Sequence, residues 1–245
     1  MSETNGQDVS KGVLDSEYAA ERVKKPELIF RYKSRALVVS RAVKKFAPDL
    51  TRPDLVAFGC ADGLTLLELD RLLSCRIGIG VEYAAELLAR APKMPEHLRL
   101  LQGDVTSLPP ELTDESVDLV SALALIEHLP DPLAAAKEAW RILKPGGLFV
   151  FTCPSPIWDD ISTKVKLLHE EQHESDMNRA AMTKLARDAG FQVMEYLPFM
   201  NAPIGFLPYL KIPVPPSLAL GIDKLIHLPR IFDFCFVNQC LIARK

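Results

Sequence analysis

The sequence predicts an α/β fold, an open and mostly parallel sheet with helices on both faces. Three features predict it. Between Asp54 and Phe151, short apolar runs alternate with segments of helical periodicity. The first run, Leu55-Val56-Ala57-Phe58, ends in Gly59-Cys60-Ala61-Asp62-Gly63, and the leucine-rich pattern Leu64–Leu73 follows directly. Strand, tight turn and helix N-terminus in succession bring backbone N–H groups against a bound nucleotide-like ligand. The second run, Arg76 to Val81, ends in Glu82, about 20 residues past the turn, where an acidic side chain on the neighbouring strand reaches ribose hydroxyls.

Met1 to about Val13 is polar and is expected to be disordered. From Ser16 to about Phe46 the pattern turns helical: Leu28, Phe30, Tyr32, Leu37, Val38, Val39 and Val43 can form an apolar face. The residues between them are basic, among them Arg22, Arg31, Arg35, Arg41, Lys44 and Lys45. They fit a solvated helix face, or a cap that draws anionic substrates to the site, with Tyr32 and Arg35 as the contacts. After the first two strands, a third is expected at Leu98–Gln102 before Gly103-Asp104-Val105, and a fourth at Val117–Ala122 before Glu127-His128. A fifth is expected at Leu148–Thr152, introduced by Pro145-Gly146-Gly147. Helices are expected near Ala84–Arg90 and at Pro132–Ile142, where Asp131 caps and a proline takes the first helical position. Beyond Pro154, helices are expected at Lys164–His169 and Asn178–Ala189, the latter ended by Gly190, and a strand at Phe191–Tyr196. Phe234–Ile242 is a last strand. The proline-rich apolar stretch 197–232 lies between them, with one helix near Ser217–Leu228. A connection of that length is usually functional. It reads as a lid over an acceptor pocket, as a dimer surface or extra core, or as a peripheral membrane contact through Leu207-Pro208-Tyr209-Leu210-Lys211.

In order and spacing, these motifs resemble a class I S-adenosylmethionine-dependent methyltransferase, near the small-molecule group that includes quinone-biosynthesis enzymes. The resemblance covers roughly residues 54–191. It implies a Rossmann-like sheet of seven strands with the last antiparallel, and S-adenosylmethionine as cofactor with S-adenosylhomocysteine as product. It assigns Gly59, Cys60, Ala61 and Gly63 to the turn under the methionine and ribose. Glu82 goes to the ribose hydroxyls, Tyr83 to one face of the adenine, and Asp104 with the Val105 N–H to its edge. Ser121, Ala122 and Leu123 line the methionine side. The chain departs from the family pattern where Ala57 replaces the carboxylate that usually ends strand one, a role Asp62 is placed to take through water. It departs again where Ala61 replaces the middle glycine, a mild change if its φ is negative.

Methyl transfer from a sulfonium is an in-line displacement. The protein positions the two reactants and excludes water, and a base is needed only where the acceptor has a proton to lose. His128 is the candidate base or, alternatively, a structural histidine that shapes the pocket. His169 and His173 sit among glutamates after strand five and read as acceptor contacts or structural residues; their spacing lacks a third metal ligand, and no metal is expected. The domain organisation expected is a disordered N-terminus and helical cap over 1–50, then one methyltransferase domain over 51–245 carrying the insertion.

A net charge of −3 disfavours a dedicated nucleic-acid binder. Five cysteines, without paired metal-ligand spacing, read as reduced core residues of a cytoplasmic protein. No secretion signal and no apolar run near the ~18 residues of a membrane span are found. The expected partner is a small-molecule methyl acceptor with an apolar or anionic part, and the expected state a monomer or homodimer. RNA or protein methylation, motivated by the basic N-terminal helix, is one alternative. A non-catalytic binder of the cofactor, motivated by Ala57, is another. A nicotinamide dehydrogenase is disfavoured because the turn lacks the full three-glycine pattern.

Overall fold

The computed structural model describes residues 21–158, 177–227 and 232–245. The strands are β1 Asp54–Phe58, β2 Ile77–Glu82, β3 Leu98–Gln102, β4 Val117–Leu123, β5 Leu143–Pro154, β6 Gln192–Asn201 and β7 Phe236–Arg244. They form one seven-stranded sheet in the order β3-β2-β1-β4-β5-β7-β6. The first five are parallel, and β7 runs antiparallel to both β5 and β6. The chain moves outward from β1 to β3 and then crosses back to β4. The crevice at the carboxyl ends of β1 and β4 is therefore the switch point where such sheets bind ligands.

The helices are α1 Pro26–Phe46, α2 Leu64–Leu73, α3 Ala85–Leu88, α4 Pro132–Ile142, α5 Arg179–Asp188, α6 Ala202–Gly205 and α7 Pro216–His227. Both sheet faces are apolar because alternate strand residues point to opposite sides. Val56, Phe58, Val120, Phe149 and Phe151 pack against α4 and α5. Leu55, Ala57, Leu119, Leu148 and Val150 pack against α1, α2 and α7. Asp131 caps α4 by accepting from the Ala134 N–H at 2.9 Å, and Asn178 caps α5 in the same way.

Some boundaries move. The strand expected to end at Tyr196 continues as β6 to Asn201, through Pro198. Proline is tolerated there because β6 is an edge strand with one neighbour, β7. The proline-rich stretch then folds back through α6, a 3-10 turn at Leu207–Leu210 and α7. Asp223 on α7 is buried and accepts from the Met200 and Asn201 N–H groups at 2.6 and 3.0 Å, tying α7 to the end of β6. The expected helix at Lys164–His169 and the expected disordered start lie outside the described residues. The five cysteines are free, four buried and Cys235 half-buried. No helix among the described residues is long and apolar enough to cross a membrane.

Candidate active site

The turn after β1 is built from backbone that few residues adopt. Gly59 and Gly63 have φ of +62° and +79°, and Ala61 has φ +49°. The alanine is thus left-handed, and the mild substitution expected for a negative φ becomes a strained one. Gly59 also needs its missing Cβ, which would sit 2.8 Å from Leu125 Cδ1. Glu82 holds this turn against β2. Its Oε2 accepts from the Ala61 N–H at 2.9 Å, its Oε1 from the Ala84 N–H at 3.0 Å, and its carbonyl from Gly103 N–H at 2.9 Å. The glycine turn, Glu82 and the Gly103-Asp104 corner therefore share one rim. Asp104 is exposed, its Oδ1 accepting from the Thr106 N–H and hydroxyl. Tyr83 stands exposed beside it, and Val105 turns its side chain into the core.

Next to this rim, a pocket opens over the carboxyl ends of β1 and β4. Gly59, Cys60, Ala61, Ser121, Leu123, His128, Tyr32 and Arg35 line it. Ala122 does not, because strand alternation aims it into the core with Phe58 and Val120. Gly63, Glu82, Tyr83, Asp104 and Val105 lie along the rim rather than in the pocket lining. His169 and His173 lie outside the described residues. The pocket's far wall comes from the C-terminal segment: Met200, Gly205, Phe206 and Tyr209, with Trp158, Val237 and Asn238. Ala61, Ala124 and Met200, all non-glycine residues at positive φ, converge on the same pocket, where strain is characteristically held.

The N-terminal half of α1, with Arg22 just before it, forms the roof. Arg22, Leu28, Arg31, Tyr32 and Arg35 face the pocket, whereas Arg41, Lys44 and Lys45 are exposed. The basic stretch thus divides into a pocket face and a solvated face. Arg22 is buried and pairs with Asp62 at 2.9 Å and Thr65 Oγ1 at 2.7 Å, its guanidinium over the Tyr32 ring. Asp62 is thus ion-paired with Arg22 through Oδ1, which also accepts from the Leu64 N–H. Burial, with the Glu68 carboxylate, raises the Tyr32 pKa.

Glu127 and His128 sit on a 3-10 turn, Ile126–His128. Glu127 is buried in the pocket wall, 3.9 Å from His128 Nε2. Burial raises its pKa, opposed by the charges of His128 and Arg35. The Cys153 thiol lies against it, held protonated by burial and by that carboxyl. Burial likewise pushes the Cys60 thiol up, so neither cysteine is a nucleophile.

Residues 56–151 match the family described as Methyltransferase domain. A Mycolicibacterium smegmatis protein described as a probable S-adenosylmethionine-dependent methyltransferase is 31% identical over 144 residues, 59% of this chain and 54% of that one. The Staphylococcus saprophyticus demethylmenaquinone methyltransferase is 31% identical over 138 residues, 46% and 58% of the two chains. In fold, the chain is similar to one from the Haloferax volcanii complex between the Trm112 methyltransferase activator and a methyltransferase. That match has a TM-score of 0.66 at 20% identity, with 93% and 94% covered. The chain carries a match to a methyltransferase domain and is similar in sequence to S-adenosylmethionine-dependent methyltransferases. It spans about half the length of the first curated relatives it matches.

The residues of this site fit S-adenosylmethionine, the cofactor named in the description of the Mycolicibacterium smegmatis relative. Ser121 Oγ is buried in the pocket wall with no hydrogen-bond partner among the described residues, opposite Ala57 in the β1–β4 register. A polar ligand there would satisfy it. Each Glu82 oxygen already accepts one backbone N–H, and a carboxylate has room for further donors such as ribose hydroxyls. Sequence reasoning passed over Arg22, Arg31, Glu127 and Asn238. Arg31 was legible in principle, because positions 28, 31, 32 and 35 share a helix face, whereas Arg22 precedes that helix. Asn238 was not, because it reaches the site only through β7 pairing.

Proposed function

We infer that this methyltransferase transfers a methyl group to a small molecule seated between α1 and the segment 200–209. S-adenosylmethionine, when bound, supplies a methyl group activated on a sulfonium. The chain's part is binding and alignment. The turn 59–63, Ser121, Glu82 and the 103–105 corner would hold the donor, while α1 and the Phe206–Tyr209 wall enclose the acceptor and exclude water. His128 would take a proton from the acceptor on its imidazole, with the Glu127 side chain 3.9 Å from Nε2. The observation that carries this reading is the pocket itself, which runs from the glycine turn to a roof and wall of aromatic and basic side chains. An acceptor of metabolite size fits such an enclosure better than a polymer does. The likeness to a demethylmenaquinone methyltransferase supports the same class.

Methyl-labelled S-adenosylmethionine incubated with the protein and a metabolite extract is expected to label a low-molecular-weight product. His128→Ala is expected to lower turnover about 100-fold or more while cofactor affinity changes little. No labelled small molecule, despite measurable cofactor binding, would instead favour a non-catalytic binder. Methylation of RNA or protein is a second reading, supported by the exposed Arg41, Lys44 and Lys45 of α1 and by a fold neighbour from a complex with an activator protein. Tight binding to bulk RNA that falls steeply with added salt would favour it.

A further inference from the structure

Among the described residues, the pocket lining carries three cationic side chains, Arg22, Arg31 and Arg35, and one carboxylic acid, Glu127. Arg22 is matched by the buried Asp62 beneath it. Arg31 meets no carboxylate among the described residues, its guanidinium lying on Tyr209. S-adenosylmethionine adds a unit of positive charge, since its sulfonium and ammonium outweigh one carboxylate. Arg31 and Arg35 also stand at i and i+4 on α1, a spacing at which like charges repel. Both are held in place. Arg31 Nη2 donates to the Tyr209 hydroxyl with its guanidinium over that ring, and Arg35 Nη2 donates to Asn238 Oδ1 at 3.1 Å. Two oriented guanidiniums a helical turn apart match the oxygens of a single oxyanion. Beside them, Phe206 packs against Trp158 and Tyr209, ring centroids 5.9 and 5.8 Å apart, as an apolar wall.

We propose that Arg31 and Arg35 form a fork for the anionic group of the methyl acceptor, a carboxylate or a phosphate monoester, whose apolar part lies on the Phe206–Trp158 wall. Tyr209 and Asn238 are the positioning residues of the fork. They come from the C-terminal segment, so that segment and α1 together define the acceptor. The inference rests on the methyltransferase reading above and deepens it.

The test is calorimetry on the full chain loaded with S-adenosylhomocysteine and titrated with phenylacetate, phenyl phosphate and neutral phenylacetamide. One of the anions is expected to bind at least about tenfold more tightly than the amide, and which one it is separates carboxylate from phosphate chemistry. Arg31→Gln and Arg35→Gln are each expected to cut that preference at least about fivefold, with Arg35→Lys restoring part of it. Tyr209→Phe, which removes only the oxygen that orients Arg31, is expected to lower the preference with little change in melting temperature. Equal binding of the three probes, or of none, overturns the fork. So does a loss of S-adenosylhomocysteine affinity in Arg31→Gln equal to its loss of anion affinity, which would give the arginine to the cofactor. A wild-type protein that binds no S-adenosylhomocysteine defeats the reading of the site itself, a result distinct from each of these.

Discussion

Glu127 shows how one buried residue ties stability to pH. It lies in the pocket wall against the Cys153 thiol, and burial raises its pKa against the opposing charges of His128 and Arg35. The folded state therefore holds the proton more tightly than the unfolded chain does. The stability linked to this site is full below the ordinary glutamate range and is lost as pH rises through the raised folded value. Glu127→Gln keeps the shape and removes that loss. Its melting temperature relative to wild type is expected to rise steadily from about pH 5 to about pH 8, and a pH-independent difference would remove Glu127 from this role. None of this was legible in the chain, where Glu127-His128 follows a strand and nothing local says which side chain turns inward. Glu82 was more legible, since its place at the end of β2 is fixed by spacing. Its bonds to the Ala61 and Ala84 N–H groups were not, because they depend on how the turn curls once Ala61 adopts a positive φ.

At the scale of elements, the clearest local signals settled the boundaries. Leu64–Leu73 and Pro132–Ile142 are helices at the residues the pattern predicts, the second because an aspartate cap and a first-turn proline mark its start. β6 ran past its expected end because a proline that breaks a central strand is harmless at an edge. Within 202–227, α7 stands where a helix is expected near Ser217–Leu228, but the part before it resisted reading for another reason. Its α6 and 3-10 turn are too short to show periodicity, and its order depends on one carboxylate. Asp223 accepts from two backbone N–H groups and the Asn201 side-chain amide, all buried. Asp223→Ala leaves those donors unsatisfied and is expected to destabilise the protein by about 2–4 kcal/mol in urea unfolding. A loss below about 0.5 kcal/mol would mean that α7 is held by its apolar face alone. Since α7 packs beside α1, the same variant should loosen the acceptor wall.

For the whole molecule, the parallel run of strands was the most legible feature, because alternating strand and helix patterns imply right-handed crossovers, whereas the antiparallel end of the sheet came only from the resemblance. The consequence is chemical. Three segments distant in sequence, the 59–63 turn, Glu82 and the 103–105 corner, meet at one rim through backbone and carboxylate bonds. The far wall of the pocket was far less legible, since it joins α1, β7 and the returning C-terminal segment, whose contacts have no local signature.

The most direct measurement is calorimetric titration of the protein and its Glu82→Ala variant with S-adenosylhomocysteine. Wild type is expected to bind it, and the variant to lose about 1–3 kcal/mol, roughly five- to 150-fold in dissociation constant, while remaining folded. No binding by wild type, or an unchanged constant in the folded variant, would contradict the shared rim as the nucleoside site.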